Sequence, residues 1–181
     1  MKPSERVIGL NPDIAASALV GSYMLGFAAM ESAINSCIEE AFGLSGADIF
    51  VLSSNLNFRG KINILKTINN ERQASDNAKR RVSSILERAA KHSTSRNVIA
   101  HSLFGPEQEK SGRQTVSFLR TSATGKLKLE PISWPYDKFD QCDAQFNELH
   151  HKLYDFSEEL RKSSAELSAR IDLSIYETSF D

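Results

Sequence analysis

The chain has 181 residues, 40% of them hydrophobic and 25% charged, with a mean hydropathy of -0.34. These values fit one globular domain that buries its own core. They exclude a disordered chain and a membrane bundle. The net charge of -1 excludes a uniformly basic nucleic-acid binder but leaves room for a local basic surface.

Pro12-Asp13 marks the start of a long helix reaching about Phe42. Proline is well placed in a first turn, and aspartate there suits the helix dipole. Val20, Tyr23, Phe27, Met30, Ile34, Cys37 and Ala41 recur at intervals of three and four, which is one apolar stripe. Gly43, Ser45 and Gly46 end it. Inside this helix, Ile14 to Met30 is an uncharged run of 17 residues, shorter than the ~20 that span a bilayer. It carries Ser17, Gly21, Ser22 and Gly26 and continues into Glu31, Glu39 and Glu40. The expectation is a buried core helix, neither a signal peptide nor a membrane segment.

A second helix is expected from Phe58 to Ile68, with Phe58, Ile62, Leu65 and Ile68 inward and Arg59, Lys61 and Lys66 elsewhere. Asn69 and Asn70 punctuate its end. A third runs from about Asp76 to His92, burying Val82, Ile85, Leu86 and Ala89. Ser93, Thr94 and Ser95 are capping residues. They predict a new short helix from about Arg96 to Leu103, stopped by Gly105-Pro106. The period then becomes two. Gln114 to Arg120 and Lys126 to Ser133 alternate around a Gly125-containing loop, as in a β-hairpin. After Trp134-Pro135, Phe139, Cys142, Phe146, Leu149, Leu153, Phe156, Leu160 and Leu167 mark a long last helix. Their heptad spacing is a bundle seam or, alternatively, a dimer coiled coil. The tail from Ser174 is expected to fray. The predicted architecture is an all-α helical bundle, one domain over residues 1–181, with the hairpin inserted at about 113–133.

Charge is unevenly spread. Residues 57–101 carry +7, while the segments on either side carry -4 each. This block reads as a solvated helix face or as a surface for phosphates, with Lys79, Arg80, Arg81 and Arg88 as the candidate RNA-binding residues. The two cysteines, Cys37 and Cys142, lie far apart in helical segments. That pattern excludes a disulfide scaffold and a cysteine-based zinc site, and it points to a reducing cytoplasm.

Familiar enzyme signatures are absent. Gly21 to Gly26 lacks the lysine and hydroxyl of a phosphate loop, and neither G-x-S-x-G nor H-E-x-x-H occurs. His150 and His151 point about 100° apart on one helix, a poor metal pair. His92 at a helix end suits the dipole. What remains is Arg96-Asn97-Val98-Ile99-Ala100-His101. Asn97 and His101 share a helix face. An arginine forks onto phosphate oxygens, and a histidine moves protons near neutrality. The pair suits RNA cleavage by attack of the 2′-hydroxyl on the adjacent phosphate, without a metal or cofactor. The structural alternative is an Arg96 bridged to an acidic residue such as Glu31, with a half-buried His101 bonded to a carbonyl.

At these residues the sequence resembles the HEPN domains (higher eukaryotes and prokaryotes nucleotide-binding), all-α bundles whose ribonuclease members carry R-x4–6-H. A polar residue often follows the arginine. Arg96-Asn97 and His101 match with four residues between. The layout is similar over roughly residues 12–170: a long first helix with a glutamate, for which Glu31 stands, a basic helical middle, the motif and a long last helix. The resemblance implies a cytoplasmic, metal-independent endoribonuclease with Arg96, Asn97 and His101 as catalytic residues. It also implies RNA as substrate and a homodimer whose two motifs line one cleft. A toxin role, with an antitoxin or other regulatory partner, belongs to the same expectation. The alternative is a non-catalytic RNA-binding or assembly subunit.

Overall fold

The computed structural model of the chain describes the backbone of residues 1–123 and 127–177, and the side chains of residues 1–120 and 131–163. The elements are α1 (Pro3–Arg6), α2 (Pro12–Phe42), α3 (Ala47–Asn55), α4 (Phe58–Glu71), α5 (Asp76–Ala100), β1 (Ser102–Gln108), β2 (Gln114–Ala123), β3 (Leu127–Pro135) and α6 (Tyr136–Glu177). The chain is mostly helical with one small antiparallel sheet before the last long helix. Contacts group it into two compact units, Met1–Met30 with Lys91–Glu148, and Glu31–Ala90 with the chain from Leu149. Helices α2, α5 and α6 each contribute to both.

In the first unit, α2 begins as its sequence dictates. The Asn11 side chain accepts the Asp13 N–H at 2.9 Å, and Pro12 occupies the first helical position, where no N–H is needed. Ala15, Ala16, Leu19, Val20, Tyr23, Phe27 and Met30 are buried. Both the backbone N–H (2.8 Å) and the hydroxyl (2.5 Å) of Ser4 in α1 donate to the Asp140 carboxylate of α6.

The sheet runs in the order β1-β2-β3, with Phe104 opposite Phe118 and Val116 opposite Trp134. Val116 and Phe118 are fully buried. Trp134 packs 5.5 Å from both Phe118 and Phe139 and 5.6 Å from Tyr23. Phe146 lies 5.0 Å from Tyr23 and 4.5 Å from His92, centroid to centroid. Such aromatic pairs add roughly 0.5–1.5 kcal/mol each beyond their buried area.

In this unit the structure corrects three expectations. Ser93, Thr94 and Ser95 do not start a new helix; they lie inside α5, which is continuous. Leu86, Ala89, His92 and Ile99 are all buried and keep the three-four spacing across that stretch. Burial of the stripe outweighs the capping preference of three polar residues. His92 is therefore not at a helix end but inside α5, 8% exposed, among aromatic rings. The helix also stops at Ala100, and Gly105-Pro106 sit within β1 rather than ending a helix. An edge strand tolerates a proline because one side of its ladder is unused.

In the second unit, α2 ends at Gly43, whose φ of +61° favours glycine. The Leu44 N–H then reaches back to the Glu39 carbonyl at 3.0 Å, closing a Schellman turn. Asn57 caps α4 by accepting the Gly60 N–H at 2.8 Å, and Ser75 caps α5 through Ala78 N–H at 3.3 Å. Helix α4 runs past Ile68 to Glu71. Asn69, expected to end it, is fully buried and donates to the Lys79 carbonyl (2.9 Å) and the Ser83 hydroxyl (3.2 Å). Lys61, expected away from the core, is 4% exposed, and its ammonium lies 2.8 Å from Glu31 Oε1.

Leu149, Leu153, Phe156 and Leu160 are buried along α6, as the heptad predicts. The helix runs through Glu177. The hairpin loop at 124–126, the side chain of Leu167 and residues 178–181 lie outside the described residues. Helix α2, with 31 residues and a mean hydropathy of 1.4 over its most apolar stretch, is long and apolar enough to cross a membrane; 39% of that stretch is buried within the chain.

Two glycines of α2 give opposite expectations. A Cβ at Gly26 would stand 2.5 Å from Phe146 Cδ2, while one at Gly21 would meet nothing within 4 Å. Gly26→Ala should lower stability by about 1–3 kcal/mol through overpacking. Gly21→Ala should raise it by up to about 1 kcal/mol through helix propensity alone. Urea midpoints of the two variants beside wild type check both signs.

Candidate functional site

Arg96, Asn97 and His101 belong to the first unit. Arg96 is half-buried near the end of α5. Its guanidinium carbon lies 6.0 Å from the centroid of the Phe27 ring, and Nη1 donates to Asn97 Oδ1 at 3.4 Å. The aromatic face supports the side chain while the charge stays outside the core. Asn97 is exposed, and its backbone carbonyl accepts the His101 N–H at 3.2 Å.

That bond places His101 one residue beyond Ala100, at the junction of α5 and β1, with its side chain exposed. The capping pattern predicts His101 inside a short helix; it ends a long one instead. The i, i+4 relation to Asn97 survives because the terminal turn is still closed. One part of the structural alternative does not fit: the His101 side chain is exposed rather than half-buried. Glu31 is bonded to Lys61, and the His101 ring makes no hydrogen bond to the chain among the described residues. Ser102, the next residue, has a buried hydroxyl oxygen with no hydrogen-bond partner among the described residues.

The four basic candidates belong to the second unit and do not form one stripe. Consecutive residues on a helix are about 100° apart, so Lys79, Arg80 and Arg81 fan around α5. Lys79 donates to the Asn70 carbonyl in the last turn of α4. Arg80 is exposed. Arg81 is bonded to Glu159 of α6. Arg88 is half-buried and engaged within the chain. The +7 of the segment overstates its reach, because part of that charge is neutralised in place.

His150 and His151 are exposed on α6, ring centroids 5.9 Å apart. Among the described residues, no group of three His, Cys, Asp or Glu could hold a metal ion. A feature without any signal in the sequence is Arg72, whose side chain is 9% exposed and bonded to Glu159 at 2.8 Å. The two residues are 87 positions apart, beyond any periodic pattern.

Compared with known proteins, the chain matches no family model, no curated protein and no solved structure.

The cysteines are free and buried. Cys37 Sγ donates to the Leu153 carbonyl at 3.2 Å. Burial pushes the Cys37 thiol up to about 12, and burial also raises Cys142. At pH 8 the thiolate fraction of Cys37 is therefore on the order of 10⁻⁴. Native protein treated with iodoacetamide at pH 8 should stay unmodified at both positions, and both should react in urea, as mass spectrometry would show.

Proposed function

We propose that the chain is a metal-independent endoribonuclease of the HEPN type that acts as a homodimer on RNA in the cytoplasm. The observation that supports this reading is the placement of His101. It is an exposed imidazole at the close of α5, one turn from Asn97, whose amide oxygen meets the Arg96 guanidinium.

In this mechanism the RNA 2′-hydroxyl attacks the neighbouring phosphorus while an imidazole takes its proton. The P–O2′ bond forms and the P–O5′ bond breaks, and an imidazolium gives a proton to the departing 5′-oxygen. One motif supplies one imidazole, so acid and base together call for the His101 of two chains. Arg96 holds the phosphate as a fork and stabilises the charge that builds on it. Asn97 orients the guanidinium. Lys79, Arg80, Arg81 and Arg88 contribute to RNA binding, with Arg80 and Arg81 the exposed members of the set. A toxin restrained by an antitoxin or other regulatory partner is the biological setting proposed with this chemistry. The alternative is a non-catalytic RNA-binding or assembly subunit, and the same assay separates the two.

Labelled RNA incubated with the protein in EDTA should be cut, leaving 2′,3′-cyclic phosphate and 5′-hydroxyl ends. His101→Ala should lower turnover by roughly 10²–10⁴ while RNA binding and the unfolding midpoint stay nearly unchanged. Arg96→Lys should keep binding better than rate, because an ammonium cannot form the fork. Binding without cleavage by wild type would select the non-catalytic alternative, and cleavage that stops in EDTA would rule out this mechanism.

A further inference from the structure

A cavity of about 120 Å³ opens between α5 and α6 in the second unit, with Arg81, Ile85, Lys152, Asp155, Phe156 and Glu159 in its wall. Behind this wall sits Arg72, from the end of α4. Its guanidinium lies over the Phe156 ring, 5.1 Å from the centroid. Its Nε donates to Asn69 Oδ1 at 3.1 Å, and Asn69 is itself fully buried and held by α5. Nη1 donates to Glu159 Oε2 at 2.8 Å, while Oε1 of the same carboxylate accepts from Arg81. Nη2 is buried and has no hydrogen-bond partner among the described residues.

The donors outnumber the acceptors. A carboxylate has two oxygens, and Glu159 has placed one on each arginine. The second Nη of Arg72 is left bare, although an unpaired buried donor is unfavourable by about 1–3 kcal/mol, and more when charged. A phosphate group has three or four oxygens in a tetrahedral array. Where the Glu159 carboxylate swings away, the phosphate can take the Nη1 donor of Arg72 and keep further oxygens for Arg81. The two kinds of partner also differ in freedom. Arg72 is locked by ring, amide and burial, whereas the Glu159 side chain is 35% exposed and can rotate into solvent.

We propose that this cavity is a phosphate-binding site whose donors Glu159 occupies in the ligand-free chain, and that phosphate binds by displacing the Glu159 carboxylate from Arg72 and Arg81. The site uses none of Arg96, Asn97 or His101. It shares Arg81 with the proposed RNA-binding set, but its first readout contains no RNA, so its failure is distinguishable from failure of the ribonuclease reading. Asp155 in the wall opposes anions, and Lys152, engaged within the chain, offsets part of that charge. Removal of the internal competitor is therefore the decisive test.

The full chain is titrated with inorganic phosphate by calorimetry at constant ionic strength, as wild type, Glu159→Gln and Arg81→Gln. Glu159→Gln should bind phosphate at least about tenfold tighter than wild type, because the neutral amide competes poorly for two guanidiniums. Arg81→Gln should bind at least about tenfold weaker than wild type, by loss of a charged donor. Glu159→Asp, too short to span both arginines, should also bind more tightly than wild type and serves if the amide variant does not fold. A second arm compares a 5′-phosphorylated oligoribonucleotide with its 5′-hydroxyl twin as competitors. Preference for the phosphorylated strand assigns the phosphate to a nucleic-acid end, and equal competition assigns it to a small phosphate. Loss of a carboxylate that fails to tighten phosphate binding, or an Arg81→Gln titration equal to wild type, would overturn the proposal.

Discussion

The Tyr23 side chain lies where the pieces of the first unit converge. Its ring meets His92 of α5, Trp134 of β3 and Phe146 of α6, and its hydroxyl donates to the His92 carbonyl at 3.1 Å. Burial raises its pKa first, the nearby Cys142 adds to that, and a hydrogen bond with Ser95 opposes it. The phenol thus remains a donor at pH values where a free tyrosine ionises. The absent side chain at Gly26 lets Phe146 close against α2. Arg96 follows His92 by one turn and rests over Phe27, which itself contacts Phe146 at 6.4 Å. The position of the Arg96–His101 segment is inherited from this cluster of rings.

Long regular patterns are legible in the amino-acid sequence. The stripe from Val20 to Cys37 and the heptad from Phe139 to Leu160 each bury as their spacing says, because an apolar face has only one place to go. Short or mixed segments are not legible in this way. Helix α3 has one buried residue, Ile49, and exposes Phe50 and Val51, so it carries no readable period. Strand β1 hides behind Gly105-Pro106, which reads as a stop. Ser93-Thr94-Ser95 reads as a cap because local preference takes no account of the packing of Ala89, His92 and Ile99 on either side.

The candidate site divides along the same line. Arg96, Asn97 and His101 are close in sequence, so spacing alone groups two of them on one face. Spacing does not give the exposure of His101 at the helix end, since that depends on where α5 yields to β1. His92, by contrast, reads as a helix-end residue and is a core residue, because the continuity of α5 has no local signal at Ser93-Thr94-Ser95. Lys61 with Glu31 and Arg72 with Glu159 are tertiary pairs separated by 30 and 87 residues. Charge counting treats such cations as surface, whereas burial shows two of them to be internal.

The proline that conceals β1 has a further effect. Among the described residues this strand has a neighbour on one side only, and it presents Leu103 at 75% and Phe104 at 43% exposure. A bare apolar edge of that kind is a template on which a strand from another molecule can zip. Pro106 removes one N–H from the row, and Glu107 beside it adds a charge that two stacked copies would bring face to face. Crowded in a cell or a tube, these chains carry their own guard against runaway cross-strand aggregation, built from the residues that make the strand hard to recognise.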